Sequence, residues 1–227
     1  GEFNNSANFG RADKGAAYML HARLALNSEV YTKGAVKDYQ KAIDYCNLLD
    51  GKYELSKAEK NGYTGYEQVF MADNDQNVQA MKEIILPIRQ DGAKTKCYSG
   101  VNYLVSSTRI TGMPYIGTSN GWSCNFSRAA LVKKFFSTIE DCPLATEAAP
   151  KDATEADIIA LDKAAGTTTK DVQAKANDDR ALFYSGCGGG LRKLQADQIA
   201  GFNSGLSIVK WSNIRTDGAA TSHNEFL

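Results

Sequence analysis

Apolar positions recur at helical spacing from Arg11 to Val30, with Ala17, Leu20 and Leu24 on one stripe, and this spacing predicts a helix. The small residues Ala16, Ala22 and Ala25 leave room for a second helix to come close. After a break at Thr32-Lys33-Gly34, a second pattern sets Tyr39, Ala42, Ile43, Cys46 and Leu49 on one face. It stops at Asp50-Gly51, where glycine supplies the left-handed conformation that ends helices. Within this pattern Cys46 reads as a small apolar core residue. Two helices joined by a short turn make an antiparallel hairpin over residues 11–50.

The rest of the chain is mixed. Glu83-Ile84-Ile85-Leu86-Pro87-Ile88-Arg89 has strand-like composition, with Pro87 confining it to a sheet edge. Residues 91–125 are rich in Gly, Ser and Tyr and too irregular for one element. Ser127 to Ile139 reads as a helix with Leu131, Phe135 and Ile139 on its buried stripe. Residues 140–177 turn to Ala, Thr, Asp and Lys, as expected of an exposed insertion, with a short helix over Thr154–Ala165 begun by Thr154 and Asp157. Leu206–Asn213 reads as a strand with Val209 and Trp211 on one face. The expectation is a mainly α fold: one helix pair, an irregular loop-rich region and short strands. The hairpin's Tyr–x2–Ala–Ile–x2–Cys helix looks like a tetratricopeptide unit, yet residues 52–227 hold no second copy. Such units stabilise one another in stacks of about three. The chain therefore reads as part of a larger protein, its hairpin's outer face left apolar.

Composition narrows the function. The 227 residues carry 26 basic and 26 acidic side chains, so no net field steers the chain toward nucleic acid or anionic lipid. No apolar run reaches the ~18 residues of a membrane span. The five cysteines include no CxxC pair and only two histidines accompany them, which argues against a zinc site. A Cys142–Cys187 bridge across the insertion is compatible with the sequence but not required by it.

The richest chemistry lies in one loop. Tyr98, Tyr103, Tyr115 and Trp122 stand among Asn102, Arg109, Thr118, Ser119, Asn120 and Asn125. A pyranose presents an apolar C–H face to a flat ring and hydroxyls to amide and guanidinium groups. The composition therefore suits carbohydrate; the plainer reading is that these rings fill gaps in an irregular packed loop. Gly121 and short polar neighbours leave Trp122 exposed, whereas Trp211 reads as core. Asp73-Asn74-Asp75-Gln76-Asn77 offers the first oxygen ligands of a calcium loop, with Asp73 and Asp75 as candidates, but Val78 stands where such a loop needs glycine. Otherwise it is a hydrophilic turn. Ser185–Lys193 lacks the ending of a phosphate loop. His21 reads as a satisfied helix residue, and Asp178-Asp179-Arg180 as a turn anchored by an ion pair. No nucleophile motif occurs, and nothing supports an enzyme.

Several segments together resemble the SusD/RagB outer-membrane lipoproteins of Bacteroidetes. They are Phe9-Gly10-Arg11-Ala12-Asp13-Lys14-Gly15-Ala16-Ala17-Tyr18-Met19-Leu20, Asp38-Tyr39-Gln40-Lys41-Ala42-Ile43, Gly51-Lys52-Tyr53-Glu54-Leu55, Glu83-Ile84-Ile85-Leu86, Asp178-Asp179-Arg180-Ala181 and Lys210-Trp211-Ser212-Asn213. The resemblance spans residues 1–227 and corresponds to the middle portion of a longer SusD-like protein. It implies tetratricopeptide-like pairs supporting a ligand-facing half, and non-catalytic capture of oligosaccharide at the cell surface for a SusC-like TonB-dependent transporter. Membrane attachment would come only through a lipid anchor outside this chain. The loop around Tyr103–Trp122, which holds Arg109, Tyr115 and Asn120 and is followed by Asn125, lies in the part of the chain where the family has its glycan-contacting aromatics, and calcium reported for some members agrees with Asp73 and Asp75. The competing readings are a tetratricopeptide-type protein-binding adaptor and a polysaccharide hydrolase.

Overall fold

A computed structural model describes residues 3, 9–90, 94, 100–109, 113–118, 121–138, 141–144, 167–184 and 205–221. Helix α1 (Lys14–Leu26) starts where the Asp13 carboxylate accepts the Ala16 N–H at 3.0 Å, closing one of the free donors of the first turn. A short α2 (Ser28–Tyr31) follows, and α3 (Tyr39–Asn47) packs against α1. The pairing uses small residues: Gly15, Ala22 and Ala25 are buried on α1 and Ala42 on α3. Gly15 makes room for a different neighbour, the ring of Tyr53 in the segment after α3, since a Cβ there would sit 1.8 Å from the Tyr53 hydroxyl.

The expected helix pair is present, but its larger side chains are not what it buries. Ala17 and the leucines of its stripe face solvent, Leu20 at 58% exposure. Tyr39, Ile43 and Cys46 are exposed too, so Cys46 is not a core residue. The helices meet through a narrow alanine seam, which brings the backbones close and leaves the bulky positions outside it. Helix α3 stops at Asn47, and the chain then turns through Gly51 at φ +66°.

Beyond the hairpin, α4 (Gly65–Gln68) opens with a capping box in which Thr64 and Glu67 bond each other's backbone N–H. Helix α5 (Val78–Glu83) is capped by Asn77. The buried Gln68 side chain joins them, donating to the Ala58 and Tyr63 carbonyls and accepting from Asn77 Nδ2 at 2.9 Å. The edge strand expected from Glu83 to Arg89 does not form. Glu83 ends α5 and its carboxylate accepts the Ser56 N–H at 2.8 Å, and residues 84–90 run on without a ladder.

The main core gathers Val132, Phe136, Cys142, Leu144, Val172, Ala181, Phe183 and Leu206. Around it stand α7 (Ala129–Val132), α8 (Thr169–Ala176) and a two-stranded antiparallel sheet, β1 (Phe183–Tyr184) with β2 (Ser207–Ile208), Phe183 opposite Ile208. The architecture is mainly helical with short strands. Three expectations need correction. The helix foreseen over Ser127–Ile139 is one turn of α helix continuing as turns, and Val132 and Phe136 face inward, so Leu131 is 42% exposed; Ile139 lies outside the described residues. Only Ser207–Ile208 of the Leu206–Asn213 run is strand. The flanks of the 140–177 insertion are core, since Cys142, Leu144 and Val172 are buried; Thr154–Ala165 lies outside the described residues. Helix α8 owes its start to Thr168 and Asp171, a second capping box.

The inward shift by one residue in α7 has a measurable consequence. Phe136→Ala should lower stability by about 3–5 kcal/mol, the usual cost of emptying a buried phenylalanine site, while Leu131→Ala should change it by about 0.5 kcal/mol or less. Urea melts of the two variants check the assignment.

Candidate functional site

The aromatic loop is organised by a helix the sequence pattern hid. Helix α6 (Val101–Thr108) lies inside the stretch expected to be irregular. Val105 is fully buried with Met113 and Ile116, and Val101, Phe126, Tyr184, Val209 and Trp211 pack on that cluster. Trp211 thus sits with core residues, as its aliphatic neighbours implied. The signal was available: Val101, Leu104, Val105 and Thr108 follow helical spacing behind Gly100, diluted by the serines and tyrosines around them.

The last turn of α6 leaves carbonyls without helical donors, and the segment 122–125 supplies them. Trp122 N–H donates to Ser106 O at 2.8 Å, Ser123 N–H to Arg109 O at 3.2 Å, and both Cys124 and Asn125 N–H to Ser107 O at 3.0 Å. Trp122 is thereby laid beside Tyr103, ring centroids 6.0 Å apart and planes inclined by 56°. Both rings stay open to solvent, at 42% and 41% exposure. Arg109 Nε donates to Thr118 O at 2.6 Å, tying the end of α6 to the segment that carries Tyr115; Tyr115 itself is exposed. Of the predicted site residues, the structure brings Tyr103 and Trp122 into contact, places Arg109 and the Asn125 backbone at the same helix end, and sets Tyr115 on the segment Arg109 holds. Asn120 and Tyr98 lie outside the described residues.

The floor of this region is a clasp formed by residues 212–221. Ser212 N–H donates to Phe70 O at 3.1 Å, and Ala72 N–H to Ile214 O at 3.0 Å. Asn213, buried, donates its backbone N–H to Ile116 O at 2.8 Å and its amide to the carbonyls of Gly117 and Thr221, and its Oδ1 accepts from the Thr221 hydroxyl at 2.7 Å. Gly117 adopts φ +83°, and a Cβ there would meet the Asn213 carbonyl oxygen at 2.3 Å. Only glycine accepts both conditions.

Asp73 belongs to the same clasp. It is buried, and its two carboxylate oxygens accept the Thr216 N–H at 2.9 Å and the Thr216 hydroxyl at 2.5 Å. Neighbouring Asn74 donates to Val69 O and Asn77 caps α5, while Asp75 is half-exposed. Among the described residues, no three His, Cys, Asp or Glu side chains gather as ligands for a metal ion. The chemistry visible at Asp73 is therefore that of a hydrogen-bonded anchor between two distant segments.

Other candidates are structural. Arg180 grips Asp178 through two nitrogens at 2.7 and 2.9 Å, which holds the Asp178 carboxyl below its ordinary range and fixes the expected turn. This turn borders a polar groove of about 580 Å³ lined by Glu59, Thr64, Lys170, Gln173 and Asn177, without aromatic rings. His21 stacks on Tyr45 at 4.8 Å. Lys210 lies over Phe70 at 4.1 Å and Tyr66 at 5.3 Å, a cation–π bracket on the clasp's approach. Ser185–Lys193 lies outside the described residues.

No family model matches the chain. Among curated proteins the chain is similar to the starch-binding protein SusD of Bacteroides thetaiotaomicron, 53% identical over 222 residues. That stretch is 96% of this chain and 39% of the relative, so the chain spans about two fifths of the length of the curated protein it matches.

The clasp makes a specific demand on stability. Asn213→Ala strands the buried carbonyls that its amide now serves, and should lower stability by about 1–3 kcal/mol. Thr216→Val, which takes the hydroxyl from buried Asp73, should have an effect in the same range. Denaturant titration of each variant reads this directly.

Proposed function

We propose, from the premise that the chain belongs to the SusD-like family, that it binds an α-glucan of the starch type without cleaving it. The observation that carries this reading is the open pair of Tyr103 and Trp122, the first on α6 and the second bonded to its end. Two rings separated by 6.0 Å offer apolar faces to the C–H surfaces of successive sugars. Their 56° inclination suits a glucan that curves between residues better than a flat ribbon. Arg109, Asn120 and Asn125 are the polar groups we assign to hydroxyl recognition, with Tyr115 as a further ring.

The wider role follows the same family reading. We assign the chain to the cell-surface side of the outer membrane, anchored by a lipid outside this segment and delivering oligosaccharide to a SusC-like TonB-dependent transporter. Within it, residues 11–50 act as a tetratricopeptide-like hairpin in a partial SusD-like domain over 1–227, 140–177 as an insertion with core-packed flanks, and Asp73 and Asp75 as contributors to a calcium site. The exposed Leu20, Leu24, Leu26, Val30 and Ile43 of the hairpin support a second reading as a protein-contact surface, since clustered apolar side chains mark association sites.

The two tryptophans separate binding from folding. Trp122→Ala should weaken maltoheptaose binding by about 2 kcal/mol or more, on the scale of aromatic hot spots, with an unchanged melt. Trp211→Ala should lower Tm instead. Calorimetric titration beside a thermal melt checks both; parental affinity in a folded Trp122→Ala protein removes this ring from the site.

A further inference from the structure

We infer that Gly121 and Ser123 are positioning residues for the Trp122 ring, acting through the backbone on either side of it. The inference rests on the glycan-binding reading of that ring and extends it to residues that present no side chain to a ligand. The N–H groups of four consecutive residues, Trp122 to Asn125, converge on three carbonyls of one helix end. Such convergence needs two local concessions from the chain.

The first is closeness at Gly121. A Cβ on this residue would stand 2.6 Å from the Arg109 carbonyl oxygen and 3.1 Å from its carbon. These are backbone atoms at the end of α6, and Arg109 O is also the acceptor for Ser123 N–H. Neither can withdraw without breaking the contact that sets the loop. The second concession is a reversal at Ser123, which adopts φ +50°, a region costly for residues with a Cβ. This turn lets the N–H groups of Trp122 and Cys124 both point at α6. Between these two fixed points the Trp122 Cα has little freedom, and the ring is directed to Tyr103. The pair also separates backbone from side chain as cause: Ser123 Oγ reaches Arg109 O only at 3.4 Å, a marginal bond.

The test uses four variants of the full chain: Gly121→Ala, Ser123→Val, Ser123→Gly and Trp122→Ala. Gly121→Ala fills the forbidden space. Ser123→Val imposes a β-branched side chain that resists positive φ, whereas Ser123→Gly removes the hydroxyl and accepts that φ freely. Affinity for maltoheptaose is measured on every protein that keeps the parental circular dichroism. On those that retain Trp122, acrylamide quenching of its fluorescence without sugar is also measured, in a Trp211→Phe background. Gly121→Ala and Ser123→Val are expected to weaken binding about tenfold or more and to raise the quenching constant as the ring leaves Tyr103. Ser123→Gly is expected to match the parent in both, the rescue that identifies backbone conformation as the cause. Parental quenching in Gly121→Ala and Ser123→Val overturns the inference. If Trp122→Ala binds maltoheptaose like the parent, the assignment of the ring to the glycan site fails, and the quenching measurement alone decides where Gly121 and Ser123 stand.

Discussion

Carbonyl groups at a buried helix end have to find donors, and this requirement at the end of α6 organises the region with the most recognisable chemistry. Unmet, each would cost about 1–3 kcal/mol. The donors come from residues 122–125, which the chain lays across the helix terminus instead of letting them run free. Everything distinctive about the aromatic pair follows: the closeness of two rings 19 positions apart in sequence, their fixed inclination, and their openness to solvent. A ring pair held in this way is fixed because its backbone is committed, while its side chains remain uncommitted.

The same economy of polar groups appears one layer down. Asn213 serves segments at 116–117 and 221, and Asp73 receives Thr216. These contacts join pieces of chain that have little regular secondary structure of their own. Apolar burial is modest here, with Val105, Met113 and Ile116 as the buried members of the cluster. Directional bonds set what such a small cluster cannot set by packing alone, namely the relative register of three irregular segments.

Legibility in the sequence tracked whether a residue's role was periodic. The α1–α3 pair is readable from helical spacing, and so is its close approach at Ala22 and Ala25, both buried; what spacing does not show is that the leucine stripe beside them stays exposed. Helix α7 failed similarly, since Leu131 and Val132 are adjacent and apolar, and periodicity alone did not choose between them. The exposure of Trp122 and the core setting of Trp211 were readable from their neighbours. Helix α6 was missed because only eight residues carry its pattern amid Ser and Tyr. The Asp73–Thr216 bond spans 143 positions, and no local pattern encodes a partner that far away.

That separation carries a kinetic meaning. Closing a loop of such length forfeits more chain entropy than closing the short one between α6 and Trp122, and long-range closures slow folding. Asn61, whose side chain donates to Thr216 O across 155 positions, shares the delay. The ring pair can therefore assemble from local contacts before residues 212–221 arrive. Their arrival is the step that converts a preformed surface feature into a fixed part of one cooperative unit.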